Sequence, residues 1–198
     1  MGLSFHYSGR IANPDSLPDL IEEVIDICKV YNWEYFVFER KFPKNSVGKP
    51  GYTDRLYGIS FTPPECEMVD VCFLSNGQMS GPMLLQNWGD SEVIEEKKYL
   101  YMISVKTQYA GMEIHRNVIQ LFRYLNEKYL ADFILSDEGQ YWETNDLNVL
   151  KRNFKRYTDL IDGFAFALEN QGREEDEDVE TYLLRIAKQL QDRMKGEE

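Results

Sequence analysis

Hydrophobic positions change period along this chain, and the changes mark out its elements. Leu3, Phe5 and Tyr7 alternate with Ser4, His6 and Ser8, the period of two that a half-buried strand requires. From Leu17 the apolar residues recur at three and four, through Leu20, Ile21, Val24, Ile25, Cys28 and Tyr31, drawing one stripe along a helix. Asp15 or Ser16 stands where a cap belongs, with Pro18 in the first turn. Runs 34–39, 56–61 and 68–74 are rich in aromatic and β-branched residues and read as successive strands in antiparallel pairing. Between the first two, residues 41–53 carry Pro43, Gly48, Pro50 and Gly51 and read as a mobile surface loop. Asn76-Gly77 suits a tight turn.

The second half repeats the alternation of periods. Residues 99–109 form the longest strand candidate, and Ile114, Val118, Leu121, Phe122, Leu125 and Tyr129 then trace a second amphipathic helix before a strand over 132–135. Asp137-Glu138-Gly139 turns the chain, Thr144 is placed to cap, and helical spacing runs from Leu147 to Leu168. After Gly172 and the acidic run 174–178, a last helix shows Val179, Leu183, Ile186, Leu190 and Met194 on one face, with the carboxylates at its positive end.

These elements predict an α+β fold: a mixed, largely antiparallel sheet, helices 17–31 and 113–129 on one face of it, and a C-terminal helical pair. One domain spans 1–146, with 147–198 packed on it. The last helix either folds back as a hairpin through Gly172 or crosses to a second copy to make a homodimer. Residues 17–38 align with 114–135 at an offset of 97, with Ile21 on Val118, Val24 on Leu121 and Phe36-Val37-Phe38 on Phe133-Ile134-Leu135, and the wider segments 3–39 and 99–136 match loosely in their first strands, Tyr7-Ser8-Gly9 against Tyr109-Ala110-Gly111. That match fits an internal duplication of a βαβ unit, or two amphipathic segments that agree only in their hydrophobic positions.

Composition narrows the partners. The 198 residues, 43% hydrophobic, suffice for a sizeable core. Against 22 Lys and Arg stand 34 Asp and Glu, a net charge of −12, which repels nucleic-acid phosphate and anionic membrane. The three cysteines, Cys28, Cys66 and Cys72, lack paired spacing and suit small buried hydrophobes in a reducing, cytoplasmic compartment. No run approaches the roughly 18 apolar residues of a membrane span.

Chemistry concentrates in 137–146. Asp137, Glu138, Glu143 and Asp146 could converge on a hard cation, yet the spacing of a calcium loop is missing, and an acidic turn leading into a helix explains the same residues. No metal or cofactor is therefore expected. The two histidines, His6 and His115, would form an acid–base pair with Glu113 if their elements packed side by side, although His6 points opposite to Phe5 and Tyr7. Cys66 lies between Glu65 and Glu67, which raise a thiol's pKa and argue against a nucleophile. Gly-x-Ser-x-Gly and phosphate-cradling glycine motifs do not occur. Aromatic side chains among acids, as in Tyr141-Trp142-Glu143, suit a protein-binding surface.

Three stretches, Tyr57-Gly58-Ile59-Ser60-Phe61-Thr62-Pro63-Pro64-Glu65, Ser104-Val105-Lys106-Thr107-Gln108-Tyr109-Ala110-Gly111, and Asp132-Phe133 with 137–144, together resemble uncharacterised bacterial proteins of unknown function. The resemblance covers roughly residues 3–146 and implies no activity or catalytic residue. The functional expectation is a protein-binding module, immunity-like or regulatory, that meets a basic protein through Asp137, Glu138, Tyr141, Trp142 and Glu143. The alternative is a small enzyme, metal-assisted, using 137–146 with His6 or His115. It is the weaker reading because no catalytic motif supports it.

Overall fold

Alternation along the first strand decides where the core forms. The computed structural model describes residues 3–173 and 177–195, with side chains to residue 189. Glu174, Glu175 and Asp176 of the acidic run, and the side chains of Leu190 and Met194, lie outside the described residues. Strand β1 (Ser4–Ile11) buries Phe5 and Tyr7 and turns His6 outward. It is the centre of a three-stranded antiparallel sheet, between β6 (Ile103–Lys106) and β7 (Leu130–Asp137). A second antiparallel sheet has the order β2 (Glu34–Val37), β3 (Leu56–Thr62), β4 (Val69–Leu74), β5 (Met79–Ser80). The two sheets join where Ile11 N–H donates to Gly77 O at 2.9 Å.

Helices α1 (Leu17–Tyr31) and α4 (Gly111–Lys128) pack side by side on the inner face. Their apolar stripes, Leu20, Ile21, Val24 and Ile25 on one and Val118, Ile119, Phe122 and Leu125 on the other, share one core with both sheets. At the solvent rim Glu23 of α1 accepts from Lys128 and Tyr124 of α4. Each buried Leu, Ile or Phe contributes about 1.5–3 kcal/mol, against about 0–1 kcal/mol for an exposed ion pair, so the stripes hold the helices in place. Strand order strand–helix–strand recurs in β1–α1–β2 and β6–α4–β7, but β6 and β7 flank one strand of a single sheet whereas β1 and β2 lie in different sheets.

The middle of the second sheet, β3 and β4, is buried on both faces, while its edge strand β2 is largely exposed. Every residue of β4 is buried, because α2 (Pro82–Trp88) and the 3-10 turn Lys98–Tyr101 cover its outer side, packing Leu84, Leu85 and Leu100 on Leu56, Cys72 and Leu74. Gly58 carries φ +126° there, and a Cβ would stand 2.3 Å from Val71 O, so only glycine lets β3 bend against β4. The strand expected over 99–109 is thus a 3-10 turn followed by the four residues of β6. Leu100 is drawn under α2, and Ala110 and Gly111 N–H turn back onto Thr107 O to start α4.

Ser16 stands at the N-cap of α1 as expected but makes no side-chain capping bond there; Asn13 caps the preceding 3-10 turn Pro14–Ser16, accepting from Asp15 N–H. Asp146 rather than Thr144 caps α6 (Leu147–Asn170), accepting from Asn148 N–H at 2.7 Å. Short helices α3 (Ile94–Lys97) and α5 (Tyr141–Thr144) complete the connections. Helix α7 (Val179–Lys195) returns along α6, burying Ile186 and donating from Tyr182 OH to Gln171 O at 2.6 Å.

Candidate functional site

Asp137 ends β7 with its carboxylate inside the protein, where burial alone would raise its pKa. Hydrogen bonds reverse that. Asp137 Oδ1 accepts from Gly139 N–H at 2.7 Å, and Oδ2 from Tyr141 N–H at 2.8 Å and Trp142 N–H at 3.0 Å. His115 Nε2 lies 3.1 Å from Oδ1. Together these donors hold the carboxyl below the ordinary carboxylate range. On the far side of the ring, His115 Nδ1 stands 2.7 Å from Thr107 Oγ1. In the neutral ring Nε2–H donates to the carboxylate and Nδ1 accepts the threonine hydroxyl.

The order Thr107, His115, Asp137 is that of a hydroxyl nucleophile, base and orienting acid. Its surroundings close it. Thr107 and His115 are fully buried, Asp137 is nearly so, and Phe5 and Phe154 set ring edges against the imidazole at 6.0 and 5.4 Å. No substrate atom reaches a hydroxyl in that position, so this chain of hydrogen bonds ties β7, α4 and the β6–α4 turn together.

The other four predicted residues gather around Asp137 and serve the same closure. Glu138 Oε2 accepts from Ser4 N–H at 2.7 Å, and Glu143 Oε1 from Asp137 N–H at 3.1 Å. Tyr141 is buried and its OH accepts from Gln120. Trp142 packs edge-on against Phe133, with the Arg123 guanidinium 5.0 Å over its ring. Glu138 and Glu143 remain exposed. His6 and His115 do not meet, because His6 is on the outer face of the sheet and His115 on the inner. Among the described residues no group of three His, Cys, Asp or Glu side chains is placed to hold a metal ion.

A second buried acid lies under α2. Ser60 Oγ donates to Asp70 Oδ1 at 2.5 Å and stands 3.4 Å from Cys72 Sγ. Burial pushes the Asp70 carboxyl up to about 6 against that hydrogen bond, and burial with Asp70 beside it raises the Cys72 thiol. Tyr7 OH reaches across from β1, donating to Asp70 O at 2.8 Å. A lone carboxylate inside the apolar run 68–74 was the sequence signal for this cluster. Cys66 follows the expectation of a thiol unfit for attack: burial and Glu67 push it up to about 12.

No protein-family model, curated protein or solved structure matches the chain. Its chemistry is therefore read from its own concavities.

Two of those that open to solvent adjoin α2. The larger, about 1180 Å³, lies between β2, residues 50–56 and α2, where Phe36, Phe38 and Tyr52 meet Glu39, Asp54 and Asp90. Arg55 pairs with Glu39 at 3.1 Å, and Lys97 is the other cation on the wall. Asp54 and Asp90 are exposed and have no ion pair among the described residues. The smaller, about 630 Å³, has Leu84, Trp88, Tyr99, Met102 and Ile134 around His6. Ser104 and Ser136 are the cross-strand neighbours of His6, but no carboxylate among the described residues hydrogen-bonds its ring, so it lacks the orienting group that a serine–histidine pair uses. Among the described residues no helix is long and apolar enough to cross a membrane.

Proposed function

We propose that this chain is a protein-binding module, immunity-like or regulatory, that acts in the cytoplasm by holding a basic protein against the cleft beside β2. One observation carries the reading: the groups that could react are sealed, while the groups that could recognise are exposed. Thr107, His115, Asp137 and Cys72 lie in the interior, whereas Phe36 is 62% exposed beside Asp54 and Asp90. Aromatic anchors ringed by charge are how protein interfaces concentrate affinity. The sign of that charge, with −12 over the whole chain, selects a cationic partner and speeds its approach. We place the recognition surface at this cleft rather than at 137–143 because there Asp137 and Tyr141 are buried, although Glu138 and Glu143 are exposed.

The test is affinity capture from the native host at low salt, with the wild-type chain beside Phe36→Ala/Asp54→Lys/Asp90→Lys. A protein of basic isoelectric point should bind the wild type in stoichiometric amount and be lost from the variant. Equal retention by both, or retention of no basic protein, contradicts the reading.

A further inference from the structure

Among the described residues, no strand lies beside the outer edge of β2. The sheet order ends at β2, which pairs only with β3 among the described residues; it exposes side chains on both faces, Tyr35 at 42% and Phe36 at 62%, while Val37 packs in part against the core. Antiparallel pairing turns the N–H and C=O of alternate residues toward the partner strand. Phe38 N–H donates to Gly58 O, so by alternation Glu34 and Phe36 face β3, and Tyr35 and Val37 present their N–H and C=O to solvent. These two residues offer a complete hydrogen-bonding unit for one more strand.

We propose that the basic partner adds an extended segment to this edge, antiparallel to β2, with its cationic side chains on the cleft side. The proposal rests on the reading above and names its mode of recognition. Register supplies the face. Tyr35 and Val37 lie opposite Phe61 and Ile59, which point into the core, whereas Phe36 lies opposite Ser60 on the outer side, with Phe38 and the cleft. A strand laid along β2 alternates in the same way. Its side chains on one face meet Phe36, Phe38, Asp54 and Asp90, and those on the other meet Tyr35 and Val37. The segment that fits therefore alternates lysine or arginine with valine-like residues.

Charge also decides against self-association. Two copies joined edge to edge would bring Glu34, Glu39, Asp54 and Asp90 of each to one side of a joint sheet, between molecules of −12 each. Acidic flanks on a short edge strand refuse indiscriminate pairing, and here they admit a strand of the opposite sign.

The probes are synthetic peptides of about nine residues, titrated into the full chain and followed by amide NMR shifts: one alternating lysine and valine, one alternating glutamate and valine, and the lysine peptide N-methylated at alternate amides. The lysine peptide should shift Tyr35 and Val37 amides saturably, and the glutamate peptide should bind at least roughly tenfold more weakly. N-methylation on the pairing side should abolish the shifts, which needs no change to the protein. Val37→Pro removes an outward N–H and no ladder bond, so it should lose binding while keeping its amide spectrum elsewhere. If the methylated peptide or Val37→Pro binds normally through Asp54 and Asp90, strand addition is wrong and the basic-partner reading stands. If lysine and glutamate peptides bind alike, or neither binds, both fall. A wild-type dimer that Val37→Pro dissociates would show that the edge serves a second copy, and that also overturns the proposal.

Discussion

Replacing Asp70 by asparagine should make the protein more stable at neutral pH, against the usual effect of altering a buried polar residue. Asp70 is 8% exposed, with Ser60 donating to Oδ1 and Gly81 so close to Oδ2 that a Cβ there would stand 2.3 Å away. Water has little room to solvate the charge, and burial lifts the carboxyl from its ordinary 3.8 to about 6. An acid whose pKa is raised by folding adds stability that is fully present below about pH 4 and lost as pH rises through about 6. A shift of about two units at roughly 1.4 kcal/mol per unit amounts to about 3 kcal/mol. Asparagine keeps the acceptor for Ser60 and carries no charge. Urea unfolding followed by circular dichroism should find Asp70→Asn close to wild type near pH 4 and about 2–3 kcal/mol more stable near pH 8. A difference between the two proteins that does not change with pH, or an asparagine variant that is the less stable near pH 8, would refute the argument that burial of charge dominates at this site.

Asp137 should behave in the opposite way. Asp137→Ala strands His115 and three backbone N–H groups in the interior, at a cost of about 3–5 kcal/mol in the same unfolding assay; its lowered pKa places its contribution above about pH 4, to be lost on further acidification. The histidines separate by face: His6→Gln should change stability by less than about 0.5 kcal/mol, and His115→Gln should cost at least about 2 kcal/mol. Deleting residues 173–198 uncovers the face of α6 around Ala167, so reduced stability with unchanged native mass is expected in sedimentation. A folded protein that passes from dimer to monomer would instead make α7 an oligomerisation arm.

Long amphipathic segments were legible in the sequence because their signal is local. The stripes of α1 and α4 and the alternation of Phe5, His6 and Tyr7 each report which side meets the core, and the two helices do share one face. The region 79–101 was not legible. There Leu84, Leu85 and Leu100 are apolar because they cover the outer face of β4, a long-range arrangement that no periodicity announces, although Gly81-Pro82 marks the helix start. The grouping of Asp137, Glu138, Tyr141, Trp142 and Glu143 was visible, but its use was not: the His115 that binds Asp137 lies 22 residues away. The cleft beside β2 brings Phe36, Asp54 and Asp90 together from three separate segments, and no short motif joins them.

Association kinetics test the central claim most directly. With the captured partner in stopped-flow mixing, the association rate constant should fall at least roughly tenfold as salt rises from about 0.02 to 0.3 M, as expected for steering by charge. Asp54→Asn/Asp90→Asn should slow association severalfold, and Glu138→Gln/Glu143→Gln should leave it unchanged. An association rate indifferent to salt, or one slowed by the Glu138 and Glu143 substitutions and not by those at Asp54 and Asp90, would contradict recognition of a basic protein through the cleft beside β2.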